Sequence, residues 1–197
     1  MTRNKHDFYP TPYSIVDAVV GVLQREMQWK DEKLWECCAG DMRFVNAMSD
    51  LGDVVATDIK TNQNFFWYKE ALAPVVVTNP PFNCIREFID HAFAIGVQKM
   101  ALVCPERLWA CARGYSQFQR HKPSYWYQMS WREDYLGKGG KPDRALALAV
   151  WNTPNAEDCK YRILDKPVKQ GDIEHEIHRR DTRQEEDQVR VVSVSNR

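Results

Sequence analysis

The stretch of this chain richest in reactive possibilities is Val75-Val76-Val77-Thr78-Asn79-Pro80-Pro81-Phe82. Three consecutive β-branched residues predict a short strand buried on both faces. The prolines end it, because proline gives no N–H to a ladder and stiffens the exit. One amide side chain, Asn79, is thus delivered to the strand end, with a rigid corner and an aromatic ring behind it. An exocyclic amine conjugated to a ring is planar and a poor nucleophile, because its lone pair is delocalised. Two acceptors aimed at its two N–H groups favour the more tetrahedral form that attacks an electrophile. The Asn79 side-chain oxygen and the Pro80 carbonyl can supply both, held in advance by Pro80 and Pro81. Phe82 can stack on an extruded base. A proline-terminated strand followed by a core phenylalanine would read the same way locally.

A second cluster is Glu36-Cys37-Cys38-Ala39-Gly40-Asp41-Met42, with Asp58 lying 18 residues beyond Gly40. An acid ending the second strand of a βαβ unit can accept hydrogen bonds from the two hydroxyls of a ribose. The turn has one glycine where the dinucleotide pattern GxGxxG has three, and it lacks the GK[ST] of a P-loop. NAD and ATP are disfavoured, and a nucleoside without a pyrophosphate, such as S-adenosylmethionine, remains. Alone, Asp58 also reads as a strand-end cap.

These residues need a frame. Apolar spacing predicts a helix over 14–27, with Ile15, Val16, Val19, Val20 and Leu23 on one face. A strand at 34–40, a helix at 42–52 and a strand at 53–59 make a βαβ unit. Next come the strand at 75–79, a helix at 86–96 and a strand at 99–105. The segment from Glu106 is expected to be helical at its start, weakened by Gly114. Strands at 124–132 and 144–152, joined by a Gly/Lys loop, suggest an antiparallel hairpin at a sheet edge. The fold class is α/β, a doubly wound and mostly parallel sheet, and all three polar clusters fall at the carboxyl ends of its strands. Residues 1–154 form the expected domain, and 155–197 a charged extension, partly disordered or peripheral.

The 197 residues suffice for one α/β domain. No apolar run approaches a membrane span and Met1–Pro12 lacks the apolar core of a signal peptide, so a cytoplasmic location is expected. The six cysteines show no CxxC spacing and are read as reduced thiols. Net charge is zero, but residues 99–144 hold 9 Lys and Arg against 4 Asp and Glu. This basic stretch carries Trp126, Trp131 and Tyr135, which suits a surface facing phosphates and bases. Arg113, Arg120, Lys122, Arg132, Lys138 and Lys141 are its candidate phosphate contacts. A metal is not expected. His175 and His178 read as part of a solvated face.

Asn79-Pro80-Pro81-Phe82 resembles the catalytic motif of S-adenosylmethionine-dependent amino-group methyltransferases, which include N6-adenine DNA methyltransferases, some RNA adenine methyltransferases and protein glutamine methyltransferases. ECCAGDMRF at 36–44 is similar to their cofactor turn, FYPTP at 8–12 to an N-terminal cofactor segment, and NQNFF at 62–66 to the segment bordering the cofactor adenine. The pattern through 152 is similar to small phage and bacterial adenine methyltransferases. The resemblance implies a Rossmann-like methyltransferase fold of the seven-stranded type. It implies S-adenosylmethionine as cofactor, with Tyr9, Thr11 and Pro12 at its methionine end and Glu36, Cys37 and Gly40 beside methionine and sugar. Asp58 would take the ribose, and Ile59, Asn64 and Phe65 the adenine. Asn79 and Pro80 would orient the N6 amine of adenine in double-stranded DNA, with Phe82 stacked on the base. From the basic, aromatic balance of the middle segment, Arg113, Trp131, Arg132, Lys138 and Lys141 are the expected contacts to the nucleic acid. Two positions depart from the pattern. Cys37 replaces a proline, and Met42 stands where a second glycine is usual, from which a side chain could narrow the cofactor site. Methylation of RNA adenine or a protein glutamine, and a non-catalytic cofactor- or DNA-binding protein, are the alternatives.

Overall fold

The computed structural model describes residues 10–27, 29, 31–133 and 144–167. Strands β1 (Leu34–Glu36), β2 (Val54–Ala56), β3 (Val75–Thr78) and β4 (Lys99–Pro105) run parallel. β5 (Tyr125–Glu133) and β6 (Arg144–Trp151) form the antiparallel hairpin, and β7 (Lys160–Leu164) runs parallel to β5. The sheet order is β2-β1-β3-β4-β6-β5-β7.

The alternation along β3 shows why this sheet is covered on both faces. Val75 and Val77 join Ile15, Val19 and Leu23 of α1 (Tyr13–Val22) and the turn after it, together with Phe44 and Met48 of α2 (Arg43–Met48). Val76 faces the other way, toward Phe88 and Ile89 of α3 (Ile85–Ala94) and the indoles of Trp35 and Trp151. With both faces buried, a strand reads as an unbroken apolar run rather than an alternation.

Three expectations are corrected. The segment after Glu106 is not helical at its start; it turns, and α4 spans Ala112–Arg120. Gly114 helps to set that start, since a Cβ there would lie 2.6 Å from the Leu108 carbonyl oxygen. The glycine permits this backbone approach rather than weakening a helix. The β5–β6 hairpin is not at the edge, because β6 pairs with β4 and β7 lies outside β5. β7 itself falls in the stretch read as an extension. Its basic residues hid it: Lys160 and Arg162 lie over the Tyr125 ring, at 5.5 and 5.4 Å from its centroid, and charged residues are common on edge strands. The helix expected over 14–27 has the right extent, but Leu23–Met27 widens into a π turn. In that turn Glu26 accepts a hydrogen bond from the Tyr127 hydroxyl at 2.7 Å.

All six cysteines are free thiols. No helix among the described residues is long and apolar enough to cross a membrane.

Candidate active site

Strand order reverses direction between β1 and β3, which leads to β2 on one side and to β4 on the other. Loops leaving neighbouring strands there diverge, and a crevice opens beyond their carboxyl ends. A cavity of about 320 Å³ fills this position. Its walls come from the β1 turn, the end of β2, the Asn79–Phe82 corner and the segment preceding α1.

Asp58 ties two of these walls together. One carboxylate oxygen accepts from the Gly40 N–H at 2.9 Å and the other from the Lys60 N–H at 2.8 Å. Each oxygen has a second lone pair. Gly40 and Met42 both adopt left-handed backbone, with φ of 54° and 66°. Met42 therefore takes the conformation that glycine favours, while its side chain is 40% exposed and does not line the cavity. The expected narrowing of the site by Met42 does not occur.

Glu36 lies behind the wall instead of on it. It is 1% exposed, accepts from the Cys38 N–H at 2.8 Å and the Thr78 hydroxyl at 2.5 Å, and so links the ends of β1 and β3. Burial pushes its carboxyl from 4.5 up to about 8, against the opposing pull of those two hydrogen bonds, and the Asp58 charge adds to the rise. Cys37 lines the cavity with a buried thiol that burial raises well above its ordinary value.

The Glu36 shift has a consequence for stability. Between pH 4.5 and about 8 the folded chain holds a proton that the unfolded chain has released. Wild-type stability therefore falls as pH rises through that window. Glu36→Gln cannot titrate and should escape the fall, by a few kcal/mol, or on the order of 10 °C in Tm. Thermal melts at pH 5 and pH 8.5 check this, and parallel curves for the two proteins would refute it.

Asn79 is held by a residue 68 positions earlier in the sequence. Its Nδ2 donates to Thr11 Oγ1 at 2.9 Å. Its Oδ1 is buried and has no hydrogen-bond partner among the described residues. Thr11 in turn is fixed through its backbone, because Arg43 Nη1 donates to the Thr11 carbonyl at 2.8 Å. Arg43 is itself paired with Asp41 at 2.8 Å and lies 4.5 Å from the Tyr13 ring centroid. Pro80, Pro81 and Phe82 line the cavity, and the Pro81 carbonyl accepts from the Cys84 N–H at 3.3 Å. Ile59 is 55% exposed and presents an apolar side chain to the cavity. Asn64 caps the turn after it by accepting from the Phe66 N–H at 3.0 Å, and Phe65 stacks on Phe88 with centroids 3.9 Å apart.

Other candidate residues lie elsewhere. Pro12 does not line the cavity; its carbonyl accepts from the Ile15 and Val16 N–H groups and starts α1. Arg113 pairs with Glu87 at 3.2 Å, and Arg120 with Asp90 at 3.3 Å, across α3 and α4. Lys122 donates to the Glu157 carbonyl at 2.7 Å. The Trp131 indole N–H donates to Glu133 at 2.6 Å, its ring packs on the α1 side of the core, and Trp126 is buried. Neither Trp131 nor the exposed Arg132 lines the cavity. These aromatics are core residues of β5, because alternate side chains of a strand enter opposite layers. Tyr9, Tyr135, Lys138, Lys141, His175 and His178 lie outside the described residues. Among the described residues no cluster of three metal-ligating side chains occurs. Sequence reasoning missed Arg43 and Arg144. Arg144 lines the cavity with its guanidinium carbon 5.7 Å from the Phe82 ring centroid. Its only sequence signal is its place at the end of the Gly/Lys loop.

The sequence matches no protein-family model and no curated protein. Solved structures do match. A candidate RNA methyltransferase from Pyrococcus horikoshii superposes with a TM-score of 0.59 at 12% identity, over 75% of this chain and 87% of that one. A candidate class I S-adenosylmethionine-dependent methyltransferase from Listeria monocytogenes gives 0.57 at 11% identity, over 78% and 65%. The fold is that of class I methyltransferases. The methyltransferase subunit of a type I restriction-modification system from Streptococcus thermophilus gives 0.56 at 9% identity, over 92% of this chain. The chain spans 65% of the Listeria protein and 55% of the Streptococcus subunit. In this methyltransferase fold the cavity occupies the crevice at the switch point, where α/β sheets of this kind take their ligands.

Proposed function

We propose that the protein methylates an exocyclic amine with S-adenosylmethionine, and that the amine is N6 of adenine in DNA. The observation that carries the proposal is the buried, unpartnered Oδ1 of Asn79, a residue of the cavity lining. A buried acceptor without a donor carries a desolvation cost that an incoming N–H relieves.

The residues present fit the cofactor. Asp58 keeps a free lone pair on each oxygen for a pair of ribose hydroxyls, Ile59 offers an apolar face for a flat base, and the Cys38–Gly40 backbone borders the same space. When bound, S-adenosylmethionine supplies a methyl group activated as a sulfonium. The chain's own residues then act on the acceptor. Asn79 Oδ1 takes one amine N–H and the Pro80 carbonyl the other, drawing the nitrogen out of its planar form. Phe82 bears on the face of the base. Because Asn79 is clamped before substrate arrives, little reorganisation remains at the moment of transfer.

Two features favour a nucleic-acid base: Arg144 beside Phe82 in the cavity, and the restriction-modification subunit among the similar folds. RNA is the second reading, favoured by the Pyrococcus protein. The test is incubation with radiolabelled methyl donor and, separately, double-stranded DNA, RNA and a protein fraction. DNA should take the label, and its digest should contain N6-methyladenine. Label confined to RNA or to protein would overturn the DNA reading.

A further inference from the structure

The Asn79 amide has two faces of opposite character, and only one of them suits an amine. Rotating it by half a turn would present its NH₂ to the cavity, where a donor would confront a donor. The side chain must therefore be held, and no hydrogen bond from within 75–84 holds it. The partner that does is Thr11, 68 residues away in sequence and only 9% exposed.

We propose that Thr11 is a positioning residue for the reaction: its hydroxyl, by accepting from Asn79 Nδ2, anchors the amide while Oδ1 is left without a protein partner among the described residues. This inference rests on the amine-methylation reading. It differs from a role at the methionine end of a cofactor, the role implied for Thr11 by resemblance alone. The geometry supports an orienting role in three ways. The hydrogen bond engages Nδ2 and leaves Oδ1 buried and unpartnered. The Thr11 backbone is secured independently of its side chain, through the Arg43 guanidinium on its carbonyl and through Pro12, whose carbonyl begins α1. The hydroxyl is thus carried on a fixed support. The clamp also connects the cofactor turn to the reacting corner, since Arg43 is paired with Asp41 in the turn that follows β1.

The isosteric change Thr11→Val removes the acceptor and keeps the volume, while Thr11→Ser keeps the acceptor. Turnover at saturating cofactor and substrate should fall about tenfold in Thr11→Val, the scale of one lost hydrogen bond. It should stay within about threefold of wild type in Thr11→Ser. The dissociation constant for S-adenosylhomocysteine, measured by calorimetry, should change less than threefold in both. If Thr11→Val keeps wild-type turnover, or loses cofactor affinity with turnover intact at saturation, the proposal is wrong. A second measurement does not depend on activity. In ¹⁵N-labelled protein the Asn79 side-chain NH₂ signal, assigned by its loss in Asn79→Ala, should be protected from exchange in wild type and Thr11→Ser. It should lose that protection in Thr11→Val; unchanged protection overturns the proposal. A wild-type protein with a protected amide but no methyl transfer to any acceptor would sink the functional reading and leave the orienting bond standing.

Discussion

Asn79→Ala should lower turnover on the methylated substrate by about 10²–10³-fold, the usual scale for removing one preorganised group that acts at a reacting atom. The binding of S-adenosylhomocysteine should change by no more than a few-fold. The asymmetry follows from the hydrogen bonds around this residue. Asn79 Nδ2 is spent on Thr11, and its Oδ1 is left for the substrate. No bond of Asn79 holds the Gly40–Asp58 turn, which is built from Asp58 and its own backbone partners. Single-turnover methyl transfer beside calorimetric titration separates the two quantities. A variant that transfers at the wild-type rate would remove Asn79 from the mechanism. One that merely binds cofactor poorly would move Asn79 to the cofactor site.

Asp58→Ala should show the opposite pattern. Its carboxylate joins the β1 turn to the end of β2 through the Gly40 N–H and caps its own turn through the Lys60 N–H. Its free lone pairs are the ribose acceptors in the proposed complex. Hydrogen bonds to a charged group contribute about 1.5–3 kcal/mol each, so S-adenosylhomocysteine should bind roughly 10–100-fold more weakly. Turnover at saturating cofactor should fall much less. Loosening of the turn could mimic this loss, so Asp58→Asn is the companion. It keeps one oxygen acceptor and should fall between wild type and alanine. If both variants bind within twofold of wild type, the ribose does not lie on Asp58. If the wild type binds no nucleoside sulfonium at all, the cofactor assignment falls with it.

Glu36 shows how neighbouring residues on one strand end divide their work. In sequence it looks like part of the same polar cluster as Gly40 and Asp58. In the fold it is interior and holds β1 to β3, and its high proton affinity follows from burial. Its replacement is therefore expected to alter the pH dependence of stability.

Much of this was legible in the residues alone. The unbroken valines of β3, the proline corner after it and the single-glycine turn announced an α/β sheet with polar clusters at the carboxyl ends of its strands. Those signals are local: β-branched runs, backbone restriction by proline and the distance from Gly40 to Asp58 all appear within short windows. What the chain could not reveal locally was which side chains those ends would meet. Thr11 and Asn79 are 68 residues apart, and Arg43 reaches back 32 residues to the Thr11 carbonyl. Arg113 and the tryptophans of β5 suggested a nucleic-acid surface by composition, yet their partners are Glu87 and the core. Met42 threatened the cavity by its size, and only its left-handed backbone turned the side chain outward. Composition and spacing determined that this protein carries an amide at a rigid strand end and a single-glycine turn ahead of it in sequence. Tertiary structure alone decided what holds that amide, because its hydrogen bond to Thr11 forms only after distant segments pack together.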